Sequence, residues 1–247
     1  MRGVPTVAMA ILWFEQALAD LPPADDWLSP DERSQLAGLR FPKRRSDWRL
    51  GRWTAKLAVS EYLHLPFEAG ALAKIQVRAT ASGAPEVVLE SGQPKVAISI
   101  THRAGVAACA VADSLVTLGC DIEAVEPRSP EFTRDYFTVV EQETMAGVPA
   151  CEQYRLAALF WSAKESTLKA VREGLRLDTR SVAVEAQRGE ADAIWHRLTC
   201  RTGIELFHGW WQSDGTLVRT LISSPASAAP SMLLLQTDTP VSECATR

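Results

Sequence analysis

The sequence predicts an α+β protein made of two similar α/β halves. Three observations carry that expectation. Helical and strand periodicities both recur along the 247 residues. Each long helical segment is followed by a run of short apolar strands. One pattern also occurs twice: Arg52-Trp53-Thr54-Ala55-Lys56-Leu57 and Phe160-Trp161-Ser162-Ala163-Lys164-Glu165 lie 108 residues apart, sharing Trp, Ala and Lys with a conservative Thr/Ser exchange. Such an echo, set both times in a long helix, is the mark of a duplicated unit. With 47% hydrophobic residues the chain can bury one large core or two of about 120 residues each.

The apolar stretch in MRGVPTVAMAILWFEQALAD reads as a first strand rather than a signal peptide, since it meets an acid at Glu15 and lacks a clear cleavage site. Ser29-Pro30-Asp31-Glu32 opens a helix, with Ser as N-cap and Pro at the first helical position, and the helix runs to about Leu39. A second helix spans about Lys43 to Leu63. Strands follow near Ile75 to Val77, Glu86 to Leu89 and Val96 to Ile100, separated by TASGAP and SGQP, then at Val106 to Ala112 and Val116 to Ile122. Thr138-x-x-Glu141 is a capping box for a short helix. A long helix from Leu156 to about Arg172 is ended by Gly174, and SVAVEAQ, AIWHRLT, IELFHGWWQ and TLVRTLISS read as four more strands. From Ser224 the tail is rich in Ser, Ala and Pro and weakly patterned.

Composition excludes several classes. A net charge of -4 and a pI near 5.7 argue against a general nucleic-acid binder, which needs a dominant basic surface. No apolar run reaches the ~18 residues that span a bilayer. The five cysteines are scattered with no C-x-x-C, which fits reduced thiols in a cytoplasmic protein rather than a disulfide frame or zinc site. Neither G-x-x-x-x-G-K-[ST] nor G-x-G-x-x-G is present, so the common nucleotide folds are not supported.

Three segments carry polar residues in arrangements that suit chemistry. On a wheel at ~100° per residue, Leu156, Leu159, Phe160, Ala163, Thr167, Ala170 and Val171 form one face of the long helix. Trp161, Lys164, Glu165, Leu168, Lys169 and Arg172 form the other. Glu165 and Lys169 read either as a surface i,i+4 pair or as groups that handle phosphate and metal. In Leu118-Gly119-Cys120-Asp121-Ile122-Glu123, the two acids share one side of a strand. They are either hydrated at a strand end or neutralised by a hard cation such as Mg²⁺. Ile98-Ser99-Ile100-Thr101-His102 is an apolar strand with a polar end, while Lys43, Arg44, Arg45, Arg49 and Arg52 form a basic cluster in an acidic chain. Leu57 stands in the first copy where Glu165 stands in the second, so acidic chemistry belongs to the second half.

S-I-T-H-R-A-G, G-C-D-I-E and F-W-S-A-K-E-S-x-x-K, in that order and spacing, resemble the motifs of the Sfp-type 4'-phosphopantetheinyl transferases, over roughly Ser29 to Ser224. The resemblance implies two α/β halves in one chain, related by a pseudo-twofold. It divides the sequence into residues 1–114 with basic residues for coenzyme A, residues 115–225 with the metal-binding acids, and a tail at 226–247. It implies Mg²⁺-dependent transfer of phosphopantetheine from coenzyme A to a serine of an acyl or peptidyl carrier protein, releasing adenosine 3',5'-bisphosphate, by a cytoplasmic monomer with no membrane or nucleic-acid partner. Residue by residue, Asp121, Glu123 and Glu165 match the metal acids, and Lys164 and Lys169 match lysines near the coenzyme A phosphates. His102 matches the histidine near the 3'-phosphate, and Thr101 beside it falls among the coenzyme A-binding residues. Arg78 and Gly83 fall in an R-x-x-x-G-x-P-like loop, and Arg33 and Arg45 represent the basic residues of the first half. Glu165, with Lys169 beside it, is the first candidate for the base that takes the serine proton. A coenzyme A-binding protein without activity and a different Mg²⁺-dependent phosphoryl enzyme are the alternatives; retention of all three acids and both lysines speaks against the former. Thr101 and Arg103 stand where Ser is commoner.

Overall fold

A computed structural model of the chain describes residues 10–172, 177–187 and 193–233. The first half runs β1 (Leu12–Ala17), α1 (Pro30–Gly38), α2 (Pro42–Tyr62), a short α3 (Ala69–Leu72), β2 (Gln76–Ala79), β3 (Pro85–Val88), β4 (Val96–Arg103) and β5 (Val106–Asp113). The second repeats the order: β6 (Thr117–Ala124), α4 (Pro130–Tyr136), α5 (Val139–Ala146), α6 (Ala150–Ala170), β7 (Val182–Ala186), β8 (His196–Thr202), β9 (Glu205–Ser213) and β10 (Leu217–Ser224). The second half holds a continuous sheet, β6-β10-β9-β8-β7. In the first half β2-β3 is a separate hairpin beside the sheet β11-β1-β5-β4, in which β11 is Ser231–Leu233. Among the described residues no helix is long and apolar enough to cross a membrane.

The duplication is visible atom by atom in two buried ion pairs. Ser29 caps α1 by accepting the Glu32 N–H, and Glu32 Oε2 accepts the Ser29 N–H in return. The second oxygen of Glu32 accepts the Val77 N–H of β2 at 3.0 Å. Lys56 of α2 then closes on Glu32 at 2.6 Å and donates to the carbonyls of Trp27 and Leu72, both at 3.0 Å. The second half repeats this with Thr138 as cap, Glu141 accepting the Val184 N–H of β7, and Lys164 on Glu141 at 3.0 Å. Lys164 also donates to the carbonyls of Thr179 and Val182. A buried ammonium is tolerated only when paired and fully hydrogen-bonded, and both lysines meet that condition. The repeated Trp-x-Ala-Lys therefore marks a staple joining each long helix to the capping-box helix and the next strand.

Helices α2 and α6 are each 21 residues long. The expected start of α6 at Leu156 is corrected to Ala150, and its two-faced wheel is corrected as well. Lys164 and Leu168, assigned to the outer face, are both 0% exposed. From Ala157 onward only Trp161, Glu165 and Lys169 stay partly open, four residues apart, which leaves a single stripe one residue wide. The reason is position: α6 packs on β6 and β10 and also meets α5, β7 and β8. Gly174, the expected helix end, lies outside the described residues. Helix α6 stops at Ala170, with Val171 as C-cap and Arg172 at a left-handed φ of 60°.

Each half has its own core, the first around Phe14, Trp27, Ala55, Leu72 and Val111, the second around Leu159, Phe160, Ala163, Leu198 and Trp211. A third core lies between the sheets, where Trp13, Ala108 and Ala110 meet Leu118, Ile122, Trp195 and Leu221. The start of the tail is not loose: β11 (Ser231–Leu233) pairs in parallel with β1, so the chain returns from the second half to the sheet of the first. Glu15 of β1 and Arg219 of β10 form a further ion pair across the halves.

Candidate active site

The site forms where the edges of the two sheets meet. Strand β4 lies against β6 without a backbone ladder; side-chain hydroxyls take its place. Ser99 Oγ accepts the Cys120 N–H at 2.9 Å and Thr101 Oγ1 accepts the Ile122 N–H at 3.3 Å. From the other side α6 presses directly on β6 at Gly119, where an added Cβ would stand 1.9 Å from the Ser166 carbonyl oxygen. Only glycine permits this approach, and the approach carries Glu165 and Lys169 to Asp121.

Asp121 is 6% exposed. Its Oδ1 accepts from Lys169 Nζ at 2.8 Å and from Thr101 Oγ1 at 2.9 Å. Its Oδ2 is buried and has no hydrogen-bond partner. Lys169 also donates to the Cys120 carbonyl at 3.0 Å. Burial works against its charge, but Asp121, Cys120 and Glu165 together outweigh this and hold the ammonium above its ordinary pKa. Half-buried Glu165 accepts no hydrogen bond among the described residues. Burial pushes its carboxyl up, with Lys169 opposing and Asp121 and Glu123 adding to the rise. Glu123 is raised mainly by burial, then by Asp121, against Arg103 and Arg128.

The acids are thus mutually aware, yet among the described residues no three His, Cys, Asp or Glu side chains converge as a ready-made metal cage. The reason is in the pairings: Oδ1 of Asp121 is taken by Thr101 and Lys169, and Glu123 is held by Arg128 at 2.8 Å and Arg103 at 3.4 Å. The donor set still fits a hard cation, because it is all carboxylate oxygen and Asp121 Oδ2 is a buried acceptor without a donor.

Two cavities flank the cluster. One, of about 470 Å³, lies between the turn at Gly83 and Pro85, the start of β4 and the end of α6, and is lined in part by Ser99, Lys169 and Arg172. Gly83 adopts a φ of 88°, a conformation that glycine takes without strain. The other, of about 790 Å³, is lined by Lys43, Asp47, His102, Arg103 and Glu126 among others. Burial lowers the His102 pKa, Lys169 and Lys43 lower it further, and Asp47 at 3.8 Å and Asp121 oppose them.

The structure therefore brings Asp121, Glu123, Glu165 and Lys169 together, sets Gly83 on one cavity and His102 on the other, and gives the other expected residues partners of their own. Lys164 is corrected from a phosphate ligand to the buried staple described above. Thr101 is buried against Asp121 and lines neither cavity. Arg33 is exposed and donates to the Leu28 carbonyl, while Arg45 donates to the carbonyls of Leu36 and Leu39 at the end of α1. Arg78 pairs with Glu86 along the hairpin and lines neither cavity, although its turn does. Trp161, expected to pack, sits against Phe132 and Tyr136 with ring centroids 5.1 and 5.0 Å away. Sequence reasoning missed Arg128 and Glu126. Arg128 reaches both Glu123 and Glu126 and stacks over the Phe132 ring, and the signal was the alternating Glu123-x-x-Glu126-x-Arg128.

Residues 117–215, which hold Asp121, Glu123, Glu165 and Lys169, match the model of the 4'-phosphopantetheinyl transferase superfamily. Over this segment the chain is similar to that superfamily. It is similar to the 4'-phosphopantetheinyl transferase HetI of Nostoc sp., with 24% identity over 150 residues, and the match spans 60% of this chain and 61% of that relative's length. Among solved structures it resembles a holo-(acyl-carrier-protein) synthase of Bacillus anthracis in complex with CoA (3',5'-ADP), at 22% identity and a TM-score of 0.37 over 43% of this chain and 96% of that one. It also resembles the Helicobacter pylori holo-[acyl-carrier-protein] synthase in complex with coenzyme A, at 20% identity and a TM-score of 0.33 over 41% and 96%. The matched segment includes β6 and α6, the two elements that supply every acid of the cluster.

Proposed function

We propose that the chain transfers the 4'-phosphopantetheine group of coenzyme A to a serine hydroxyl of an apo acyl or peptidyl carrier protein, with Mg²⁺, releasing adenosine 3',5'-bisphosphate. The observation that carries this reading is Asp121 Oδ2, buried without a partner beside Glu165 and Lys169, inside the segment that matches the superfamily. Asp121, Glu123 and Glu165 would hold the metal. Bound there, Mg²⁺ supplies charge neutralisation for the pyrophosphate of the donor.

The remaining work falls to the protein's own side chains. Lys169 borders the 470 Å³ cavity and brings a fixed positive charge to the phosphates that accommodate it. The serine oxygen forms a bond to the phosphorus of the pantetheine phosphate as the bond to the departing adenosine bisphosphate breaks. Glu165, whose basicity burial raises, takes the serine proton. His102, Lys43 and Arg103 border the second cavity, a setting suited to a further phosphate. The four described cysteines are free, which suits the reducing cytoplasm. Both halves of the cleft come from one chain, which suits a monomer.

Incubation with coenzyme A, Mg²⁺ and several apo carrier proteins, followed by intact mass measurement, tests the proposal. A gain of one phosphopantetheine on a carrier is expected; no gain on any carrier sinks it. Asp121→Asn and Glu165→Gln should each lower transfer by about a hundredfold or more while the far-ultraviolet circular dichroism stays unchanged.

A further inference from the structure

We propose that Thr101 is a positioning residue that holds the Asp121 carboxylate in the orientation that turns one oxygen to the cation, not a contact for coenzyme A. The inference rests on the metal reading of the site given above. Thr101 is 5% exposed and borders neither cavity, so its hydroxyl faces Asp121 rather than either cavity. A threonine hydroxyl has one proton to donate. Here the Ile122 N–H donates to Oγ1 at 3.3 Å, and Oγ1 donates onward to Asp121 Oδ1 at 2.9 Å. The hydroxyl is oriented by the backbone of the same strand that carries the carboxylate.

Lys169 occupies the same Oδ1 from the opposite element. The two donors, one from each half of the molecule, commit that oxygen and leave Oδ2 bare. Turning the carboxylate out of its present plane would break both contacts. Ser99, two residues earlier on β4, accepts the Cys120 N–H in the same way but no bond runs from it to an acid, so the ordering of Asp121 falls to Thr101. The β-branched side chain has few rotamers and suits this task.

Thr101→Val keeps the shape and removes the hydroxyl. Mn²⁺ serves as the probe, with free Mn²⁺ followed by electron paramagnetic resonance in the presence of coenzyme A, beside a crystal structure of the variant. Thr101→Val should weaken Mn²⁺ binding by about tenfold or more and rotate the Asp121 carboxylate, with metal-free coenzyme A affinity changed less than about twofold. Thr101→Ser should restore Mn²⁺ binding to within about threefold of the unaltered protein. An unmoved Asp121 carboxylate, unchanged Mn²⁺ affinity, or a loss confined to coenzyme A binding would each overturn the proposal. If the unaltered protein takes up no Mn²⁺, the metal reading fails, and the crystal structure still decides whether Thr101 positions Asp121. Should the valine variant not fold, Thr101→Ala carries the same comparison.

Discussion

At the scale of single residues, Lys164 and Glu165 are neighbours in sequence and opposites in role. Lys164 is sealed against Glu141 and two carbonyls, and burial lowers its pKa against the pull of Glu141. Lys164→Met should lower stability by about 3–5 kcal/mol, because it strands a buried carboxylate; denaturant unfolding reads this directly. If instead the Michaelis constant for coenzyme A rises with stability intact, Lys164 is a ligand after all. Glu165 carries the reverse cost. Its folded pKa is raised by burial, so folding favours the protonated acid, and that contribution is lost as pH rises through the folded pKa. In metal-free protein Glu165→Gln should therefore raise the unfolding midpoint at pH 7.5, with the gain shrinking as the pH falls to about 4, even as transfer is abolished. A fall in the midpoint at pH 7.5 would contradict this account.

Among the elements, the pairing of β6 with α6 decides the site, and one glycine decides the pairing. A methyl group at Gly119 would collide with backbone of α6, not with a side chain that can turn away. Gly119→Ala should cost about 1–3 kcal/mol or more and reduce transfer further than its stability loss accounts for, since Glu165 and Lys169 move with the helix. The strands, both capping boxes and the two long helices were legible in the sequence, because each depends on local spacing. The roles on α6 were not. A wheel sorts residues by angle alone, whereas Lys164 meets its partners on α5 and around the start of β7, elements whose approach local periodicity does not encode. The partners of Arg33, Arg45 and Arg78 were not legible for the same reason: their carbonyls and carboxylate are brought to them by the fold. Asp121, Glu123, Glu165 and Lys169 were legible because a strand period of two and a helix period of four each put their pair on one side.

For the whole molecule, the third core is what makes two repeated halves into one protein. Residues 10–114 produced alone would expose Trp13, Ala108 and Ala110, which pack on the second half, and would lose the partner of Glu15 and the edge strand β11. That fragment should aggregate or bind a hydrophobic dye strongly. A monodisperse fragment with sharp unfolding would mean that the halves are independent domains. The duplication itself was visible from six residues. That the sheets would meet edge to edge through hydroxyls was not, since Ser99 and Thr101 look like any polar strand residues until β6 lies beside them.

The staple present in both halves also tells how such chains can be sorted. Trp-x-Ala-Lys, the part of the sequence that catches the eye, records architecture, and the first half carries it without the acid. Leu57, at the position of Glu165, is 3% exposed in a sealed core, so restoring a carboxylate there would bury a charge and create no second centre. A relative that retains Trp-Ser-Ala-Lys but lacks the following Glu and the Lys four residues beyond it should fold like this one and be inert. The diagnostic letters for chemistry are the two that come after the motif.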